Sequence, residues 1–534
     1  MTFEPRCDEQ RAVVESVAPL TVVLGGAGTG KTACALGAAE AHLERESATR
    51  FERVLVLSFS RAAVVNIDNR SRGDFSSRVD IMTFHGLAYS LIRRFGWAVG
   101  LGRPNLISAP RQLLGSPPGS ITYDQLLPAA LRIIREVPAV REYLSVRWKL
   151  VIVDEFQDTD DSQAALVEEI SVGARRILLG DRDQCIYTFR AGDGVRLSRI
   201  TDACREAGPV NTVALPDISH RDRTQVIPAV ARDILHRDFN SDAIKIALNS
   251  GRLSLAAPVT LDNEVVAVSE IIRDLRGQDL GVAVFTHHND MLANLSDGLV
   301  KEGIDHEIAG LSEAFACAID AQLSLLQFSQ GVRAWDEALE ALAVFITSAQ
   351  RGRQVPPLAH QVRQGGNGAV GERLATLRGR LSGSCLIDSI DVIADVHLDL
   401  LLPNKTSAWS DAASAVATAH ARLTRGGSRA PSDAVVAVSL ERAAQELASS
   451  ALTESRVAPH TVQLMNLYQT KGREADATVV VLREGDWLGD EGEPWSDTSR
   501  LLYVVFSRAR EKIVIVPVGD NLHPAVAPLG DLVA

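Results

Sequence analysis

The segment Gly25-Gly26-Ala27-Gly28-Thr29-Gly30-Lys31-Thr32 constrains this chain most, because of what flanks it. It follows the apolar run Leu20-Thr21-Val22-Val23-Leu24 and precedes a helix-like stretch over 33–46. Strand, glycine loop and helix in that order make a cradle for nucleotide phosphates. The glycines let the backbone wrap closely and aim its N–H groups at the oxygens, Lys31 reaches the β- and γ-oxygens, and the Thr32 hydroxyl can hold magnesium. A plain glycine turn before an ordinary helix is the alternative, and the strand-loop-helix context weighs against it.

Other apolar runs rich in β-branched residues lie at 54–57, 150–153, 177–179, 282–285, 478–482 and 513–516, with helical patterns between most of them. That alternation reads as α/β with parallel sheets. Strand signal disappears over 87–147, where Ser116-Pro117-Pro118-Gly119 divides two amphipathic stretches, and again over 312–456. The second region has helical periodicity at 320–349 and 411–424, interrupted by a Gly-, Gln- and Pro-rich stretch at 351–371 that reads as a flexible loop. The expected organisation is a first core over 1–86 and 148–214 with a helical insert over 87–147. A second core follows over 215–311 and 457–534, with an insert over 312–456.

A chain of 534 residues with 46% hydrophobic content has ample core for about three or four compact units. No charged leader with an apolar stretch follows Met1, and no apolar run is long enough to cross a bilayer, so the expectation is a cytoplasmic protein with no membrane partner. Six scattered cysteines without a C-x-x-C pair argue against zinc, iron–sulfur or disulfide chemistry. The net charge of −12 lowers the expectation of a broadly basic nucleic-acid surface but leaves room for a local one. Basic residues gather at Arg70, Arg72 and Arg78, at Arg93, Arg94 and Arg103, and at Arg422, Arg425 and Arg429; solvated surface is the ordinary reading of each.

Lys149-Leu150-Val151-Ile152-Val153-Asp154-Glu155 reads as a buried strand delivering two carboxylates to its C-terminal end, where ligands bind in open α/β sheets. Asp154 is placed to hold magnesium and Glu155 to orient and activate an attacking water. Taken alone the pair reads as a helix cap or solvated turn; the phosphate loop upstream favours the chemical role. The next strand ends in Gly180-Asp181-Arg182-Asp183-Gln184-Cys185-Ile186-Tyr187-Thr188-Phe189-Arg190.

DEFQDT from Asp154 to Thr159 and GDRDQCIYTFR after it resemble motifs II and III of the UvrD/Rep family of superfamily 1 DNA helicases, with the phosphate loop as motif I. Asp8-Glu9-Gln10-Arg11 resembles the family's Q motif. Leu55-Val56-Leu57-Ser58-Phe59-Ser60-Arg61 resembles motif Ia, and Thr83-Phe84-His85-Gly86 the strand-contact motif after it. Ser219-His220-Arg221, Gln463 to Glu474 and Leu501 to Arg510 resemble motifs IV, V and VI. The resemblance implies two RecA-like parallel-sheet P-loop cores, each interrupted by a helical insert, closing on ATP and Mg2+. It implies that Gln10 reads the adenine edge, Gln184 senses the γ-phosphate, Glu474 contacts the ribose, and Arg221 and Arg508 act as arginine fingers. Phe59, Tyr187, Phe189 and Tyr468 become candidates for stacking bases, and Thr83, His85 and Arg190 for holding strand phosphates. Core packing is the competing reading for each aromatic.

Ala33 stands where the family usually has an arginine against the adenine, and His220 where it usually has a tyrosine. Phe189 and Tyr468 replace a common tryptophan and histidine but keep a ring. The family implies ATP-driven 3′–5′ movement on single-stranded or forked DNA with unwinding. The compact inserts and acidic charge motivate an alternative: an ATPase subunit that senses DNA or nucleotide and licenses a partner nuclease, as UvrD-like proteins of Gabija-type antiphage systems do. A third reading is a phosphate-loop ATPase unrelated to nucleic acid. Only 517–534 follow motif VI, so no fused nuclease is expected after it.

Overall fold

Runs of Val, Ile and Leu too apolar to face water on either side demand a sheet covered on both faces, and parallel strands meet that demand. Every described strand pair is parallel. The computed structural model describes residues 3–45, 49, 51–58, 76–186, 195–287, 291–292, 295, 298–299, 302–308, 312–349, 354–400, 408–410, 412–413, 416–417, 462–489 and 496–533.

In chain order the first strands are Leu20–Leu24 (β1), Arg53–Ser58 (β2), Val79–Thr83 (β3), the two-residue Asn105–Leu106 (β4) and Ser120–Ile121 (β5), Trp148–Val153 (β6), Arg175–Gly180 (β7) and Thr212–Ala214 (β8). Six of them form one sheet in the order β3-β2-β6-β7-β1-β8, while β4 and β5 pair only with each other. A second sheet uses Leu253–Leu255 (β9), Val282–Thr286 (β10), His306–Ile308 (β11), Val462–Asn466 (β12), Ala475–Arg483 (β13) and Ala509–Val518 (β14), ordered β11-β12-β10-β13-β14-β9. Register is continuous across the middle of each sheet. Val22 pairs with both Leu178 and Thr212, and Val284 with both Leu464 and Val479.

Helix Lys31–Leu43 covers the first sheet with small residues. Cys34, Ala35, Ala38 and Ala39 are buried with Val23, Val56, Ile152 and Ile177, so the helix lies close and its N-terminus stays near the end of β1. Val268, Ile272 and Leu275 of helix Glu264–Gly277 do the same for Val284, Val479, Val481 and Val514 of the second sheet.

The chain divides into two compact units: Met1–Pro104, Asp124–Ile308 and Val457–Ala534 hold both large sheets, while Asn105–Tyr123 and Ala309–Arg456 make a mainly helical unit. Within the helical unit, helices Ser312–Ser329, Trp335–Ala349, Pro357–Arg363, Gly368–Leu381 and Leu386–Ala394 enclose a core that includes Leu325, Leu342, Phe345 and Trp409. Arg363 donates to the Leu114 carbonyl at 2.6 Å and pairs with Glu340, which also takes Arg111. Residues 105–123, expected inside the first insert, therefore cluster with the helices that follow residue 309.

The expected loop over 351–371 is corrected. It contains helix Pro357–Arg363 and the start of helix Gly368–Leu381. Proline at the first helical position is well suited there, since that N–H would be unpaired anyway. The helical period over 320–349 splits into two helices at residues 330–334, where Gly331 adopts φ 69°. The expected helix over 411–424 falls mostly outside the described residues. No described helix is long and apolar enough to cross a membrane.

Candidate functional site

The end of β1 dictates the first part of the site. Gly25 donates to the Gly180 carbonyl at the end of β7, and the chain then turns through Gly28 at φ 79° and Gly30 at φ 94°, conformations a side chain resists. A Cβ on Gly28 would also collide with Ser219 Oγ, so glycine is required there twice over. Ala27 lies between these turns, and Thr29 Oγ1 donates to the Gly26 carbonyl at 3.0 Å, pinning the loop. Gly30 starts helix Lys31–Leu43. The buried Lys31 ammonium folds over the loop, donating to the carbonyls of Gly25 at 2.5 Å and Gly26 at 3.0 Å. Glycines that admit close approach, a helix N-terminus and a held ammonium suit a polyphosphate.

Two carboxylates leave the end of β6. The Asp154 N–H still donates to the Leu57 carbonyl of β2, while its Oδ2 lies 3.5 Å from Thr32 Oγ1. Hard oxygen donors of this kind fit magnesium. Glu155 has φ 54°, a left-handed conformation that costs a non-glycine residue and tends to be kept where function requires it. Gln157 locks it: its amide donates to Glu155 Oε2 at 2.6 Å and accepts from the Asp181 N–H at 3.1 Å, bridging the ends of β6 and β7. Burial and the adjacent Glu155 carboxylate raise the Asp154 pKa above the ordinary range. Burial acts in the same sense on Glu155, but Lys471, Lys31 and Arg508 outweigh it and hold that carboxyl below its ordinary value. The two acids are thus set apart electrostatically, as acids with different tasks need.

Side chains from the segments that lead into β13 and β14 of the second sheet reach those after the strands of the first. Arg508 Nη2 donates to Gln184 Oε1 at 2.9 Å, and Gln184 donates to Asp181 Oδ2 at 2.8 Å. Tyr503 Oη lies 3.3 Å from the same Asp181 oxygen. Lys471 forms a buried ion pair with Asp158 and donates to the Gln184 carbonyl at 2.6 Å. Burial and neighbouring Arg221 push the Arg508 guanidinium down to about 10, so it keeps its charge at neutral pH. Arg221 donates through Nε to Glu474 Oε1 at 2.8 Å and through Nη1 to the Ser507 carbonyl at 3.2 Å. Burial opposes ionisation of Glu474, yet Arg221 and Arg510 hold it down at about 2.

At the other end of the loop, buried Gln10 accepts from the Arg6 N–H at 2.8 Å, and Arg6 Nη1 lies 3.3 Å from His220 Nδ1. The His220 N–H donates to the Gly28 carbonyl at 2.9 Å. The two departures noted in the sequence thus sit beside the phosphate loop, with the Arg6 guanidinium against the His220 ring.

The structure therefore gathers Gln10, Gly25 to Thr32, Asp154, Glu155, Gln184, Arg221, Glu474 and Arg508 around one cleft. The strand candidates are more dispersed. Thr83, the last residue of β3, accepts from the Gly86 N–H at 3.1 Å and caps helix Phe84–Phe95. His85 is half-buried in that helix's first turn, and burial lowers its pKa against the pull of Asp160 and Asp124. Tyr468, after β12, donates to the Leu488 carbonyl at 3.3 Å, with its ring 6.2 Å from His287. Phe59, Tyr187, Phe189 and Arg190 lie outside the described residues. The sequence reading singled out neither Gln157, Asp158, Lys471 nor Tyr503. All four stand inside the quoted motifs, but their pairings link residues as much as 322 positions apart, which spacing along a chain cannot reveal.

A family model described as an AAA domain matches residues 9–190. The chain is 28% identical over 209 residues to ATP-dependent DNA helicase UvrD1 of Mycobacterium leprae (strain TN), covering 36% of this chain and 26% of that protein. It is 22% identical over 378 residues to ATP-dependent DNA helicase PcrA of Leuconostoc citreum, covering 57% and 49%. It is 33% identical over 111 residues to RecBCD enzyme subunit RecB of Mycolicibacterium smegmatis, covering 20% and 10%. The match thus spans about a quarter of the length of UvrD1. With the phosphate loop, the strand-end acids and the arginines of the second core converging on one cleft, and with relatives of this kind, the chain is similar to the UvrD/Rep family of superfamily 1 DNA helicases.

Proposed function

We propose that the chain is an ATP-dependent DNA helicase or translocase that couples hydrolysis in this cleft to 3′–5′ movement on single-stranded DNA and to unwinding of a forked duplex. The observation that carries the reading is the pairing of Arg508 with Gln184 at 2.9 Å, because it ties a cation of the second sheet to the loop of the first that would face the γ-phosphate.

ATP would lie with its phosphates along Gly25 to Thr32 and Lys31 countering their charge. Its base would lie toward Gln10, Arg6 and His220. Thr32 and Asp154 would hold Mg2+, which when bound neutralises charge on the phosphates. Glu155, ionised and fixed by Gln157, orients water for in-line attack and accepts its proton as the terminal phosphoryl group transfers. Arg221 and Arg508 present forked donors to the oxygens that gain charge, and both are already oriented by Glu474, Ser507 and Gln184. Hydrolysis removes the group that Gln184 and the two arginines share, which loosens the hold between the sheets and gives a stroke.

A second reading is an ATPase that governs a partner nuclease. It is favoured by relatives whose names make them parts of larger enzymes: the helicase/nuclease protein of Lactococcus lactis, at 31% identity over 106 residues, and RecB. The test measures ATP hydrolysis without nucleic acid, with single-stranded DNA and with single-stranded RNA, alongside strand separation of a forked duplex. DNA-stimulated hydrolysis with separation is expected. Stimulation without separation favours the nuclease-governing reading, and absence of stimulation overturns both.

A further inference from the structure

Helix Phe84–Phe95 buries Phe84, Leu87, Ala88, Leu91 and Ile92, which turns the opposite face outward. On that face His85, Tyr89 and Arg93 follow one another at intervals of four residues, and Trp97 continues the interval in the turn Gly96–Val99. Side chains four apart stack along a helix, so these four form one stripe beginning beside Thr83. Trp97 is 70% exposed, and its Nε1–H donates to the Arg94 carbonyl at 3.1 Å, which fixes the indole while leaving its face open. Arg94 is held by Tyr143, at 2.8 Å from the hydroxyl and 4.6 Å from the ring centre. Arg93 lies over the Tyr89 ring at 5.9 Å.

Charge gives the stripe its direction. In a chain of net charge −12, no aspartate or glutamate occurs between Asp80 and Asp124, and among the described residues no carboxylate pairs with the exposed Arg93, Arg94 or Arg103. The open Trp97 indole and the half-buried Tyr89 ring, interleaved with guanidinium groups that no carboxylate compensates, suit a strand that offers bases and phosphates in turn.

We propose that His85, Tyr89, Arg93 and Trp97, flanked by Arg94 and Arg103, form a track for single-stranded DNA, with bases stacking on Tyr89 and Trp97 and phosphates on the arginines. The track runs about 18 Å along the helix, the rise of about five stacked nucleotides. It rests on the reading of the chain as a DNA-dependent motor.

The test is binding of labelled oligothymidylates of increasing length to the full chain by fluorescence anisotropy, at several salt concentrations. Trp97→Ala should weaken binding of the longer oligonucleotides about tenfold, and Trp97→Phe should restore most of it. Arg93→Glu should flatten the dependence of log affinity on log salt by about 0.7 or more. Trp487→Ala removes an indole 63% exposed on an acidic loop of the second core and should leave affinity unchanged. Unfolding midpoints equal to wild type confirm that each variant folds. Unchanged affinity and salt slope in both stripe variants, with DNA-stimulated hydrolysis intact, overturn the track and leave the motor standing. Loss of binding in Trp97→Ala when wild-type hydrolysis ignores DNA supports the track and overturns the motor. A wild-type chain that binds no single strand overturns both.

Discussion

The two large sheets are alike in scaffold and opposite in equipment. Each has six parallel strands with apolar helices against it, yet the strand ends of the first carry a phosphate loop and the acids Asp154, Glu155, Asp158 and Asp181, while those of the second carry Lys471, Arg508 and Arg510. The strand orders differ as well, β3-β2-β6-β7-β1-β8 against β11-β12-β10-β13-β14-β9. The edges differ too: the first sheet offers the C-terminal ends of its strands, where ligands bind in open α/β sheets, whereas Lys471 and Arg508 precede β13 and β14 and Arg510 lies at the start of β14. The difference teaches that neither half holds a complete site: acids and loop on one side need cations from the other to offset their charge.

The sharpest way to break that comparison is to remove one element from each side. Lys31→Ala or Glu155→Gln on the first should abolish steady-state ATP turnover, and near-normal hydrolysis in either would refute the assignment. Arg508→Ala on the second should lower kcat about 10³-fold or more, with a smaller change in nucleotide affinity, because it acts on charge that develops during transfer. If Arg508→Ala changes only KM, the second sheet supplies binding rather than chemistry.

Next in size is the ion pair that joins the sheets. Lys471→Met leaves the Asp158 carboxylate buried without its cation, and should cost about 3–5 kcal/mol in denaturant unfolding. Lys471→Met with Asp158→Leu should recover most of that loss, since apolar replacement of both partners removes the stranded charge. A single variant as stable as wild type would mean the sheets are held together elsewhere.

The smallest expected effect touches the first sheet alone. His42, near the end of helix Lys31–Leu43, is pushed down to about 4 by burial and by Arg175 and Arg45. An unfolded histidine titrates near 6.5, so on acidification the unfolded chain takes up the proton first. Stability should therefore fall between about pH 6.5 and pH 4 and flatten below, by on the order of 2 kcal/mol. His42→Gln should lose that part of the pH dependence in urea titrations, and an identical pH profile would place the titration in another group.

Much of the site could be read along the chain wherever chemistry and backbone demand coincide locally. Gly28 and Gly30 are needed for positive φ, and Lys31 and Thr32 for their place at the helix start, so the loop announces itself within eight residues. Asp154 and Glu155 are marked by the apolar strand that delivers them. Prolines misled at Pro356 and Pro357, because a residue that ends helices also begins them. Strands β8, β9 and β11, of three residues each, left no periodic signal of their own.

By itself, then, the sequence determined the phosphate loop, the acids after β6, the α/β alternation and the family resemblance, since each rests on residues adjacent in the chain. Only the tertiary structure decided that Arg508 meets Gln184, that Lys471 meets Asp158, that Gln157 spans β6 and β7, and that Arg6 lies against His220. Those pairings depend on which strands become neighbours and on burial strong enough to force charged groups together, and both arise only when distant segments share one core.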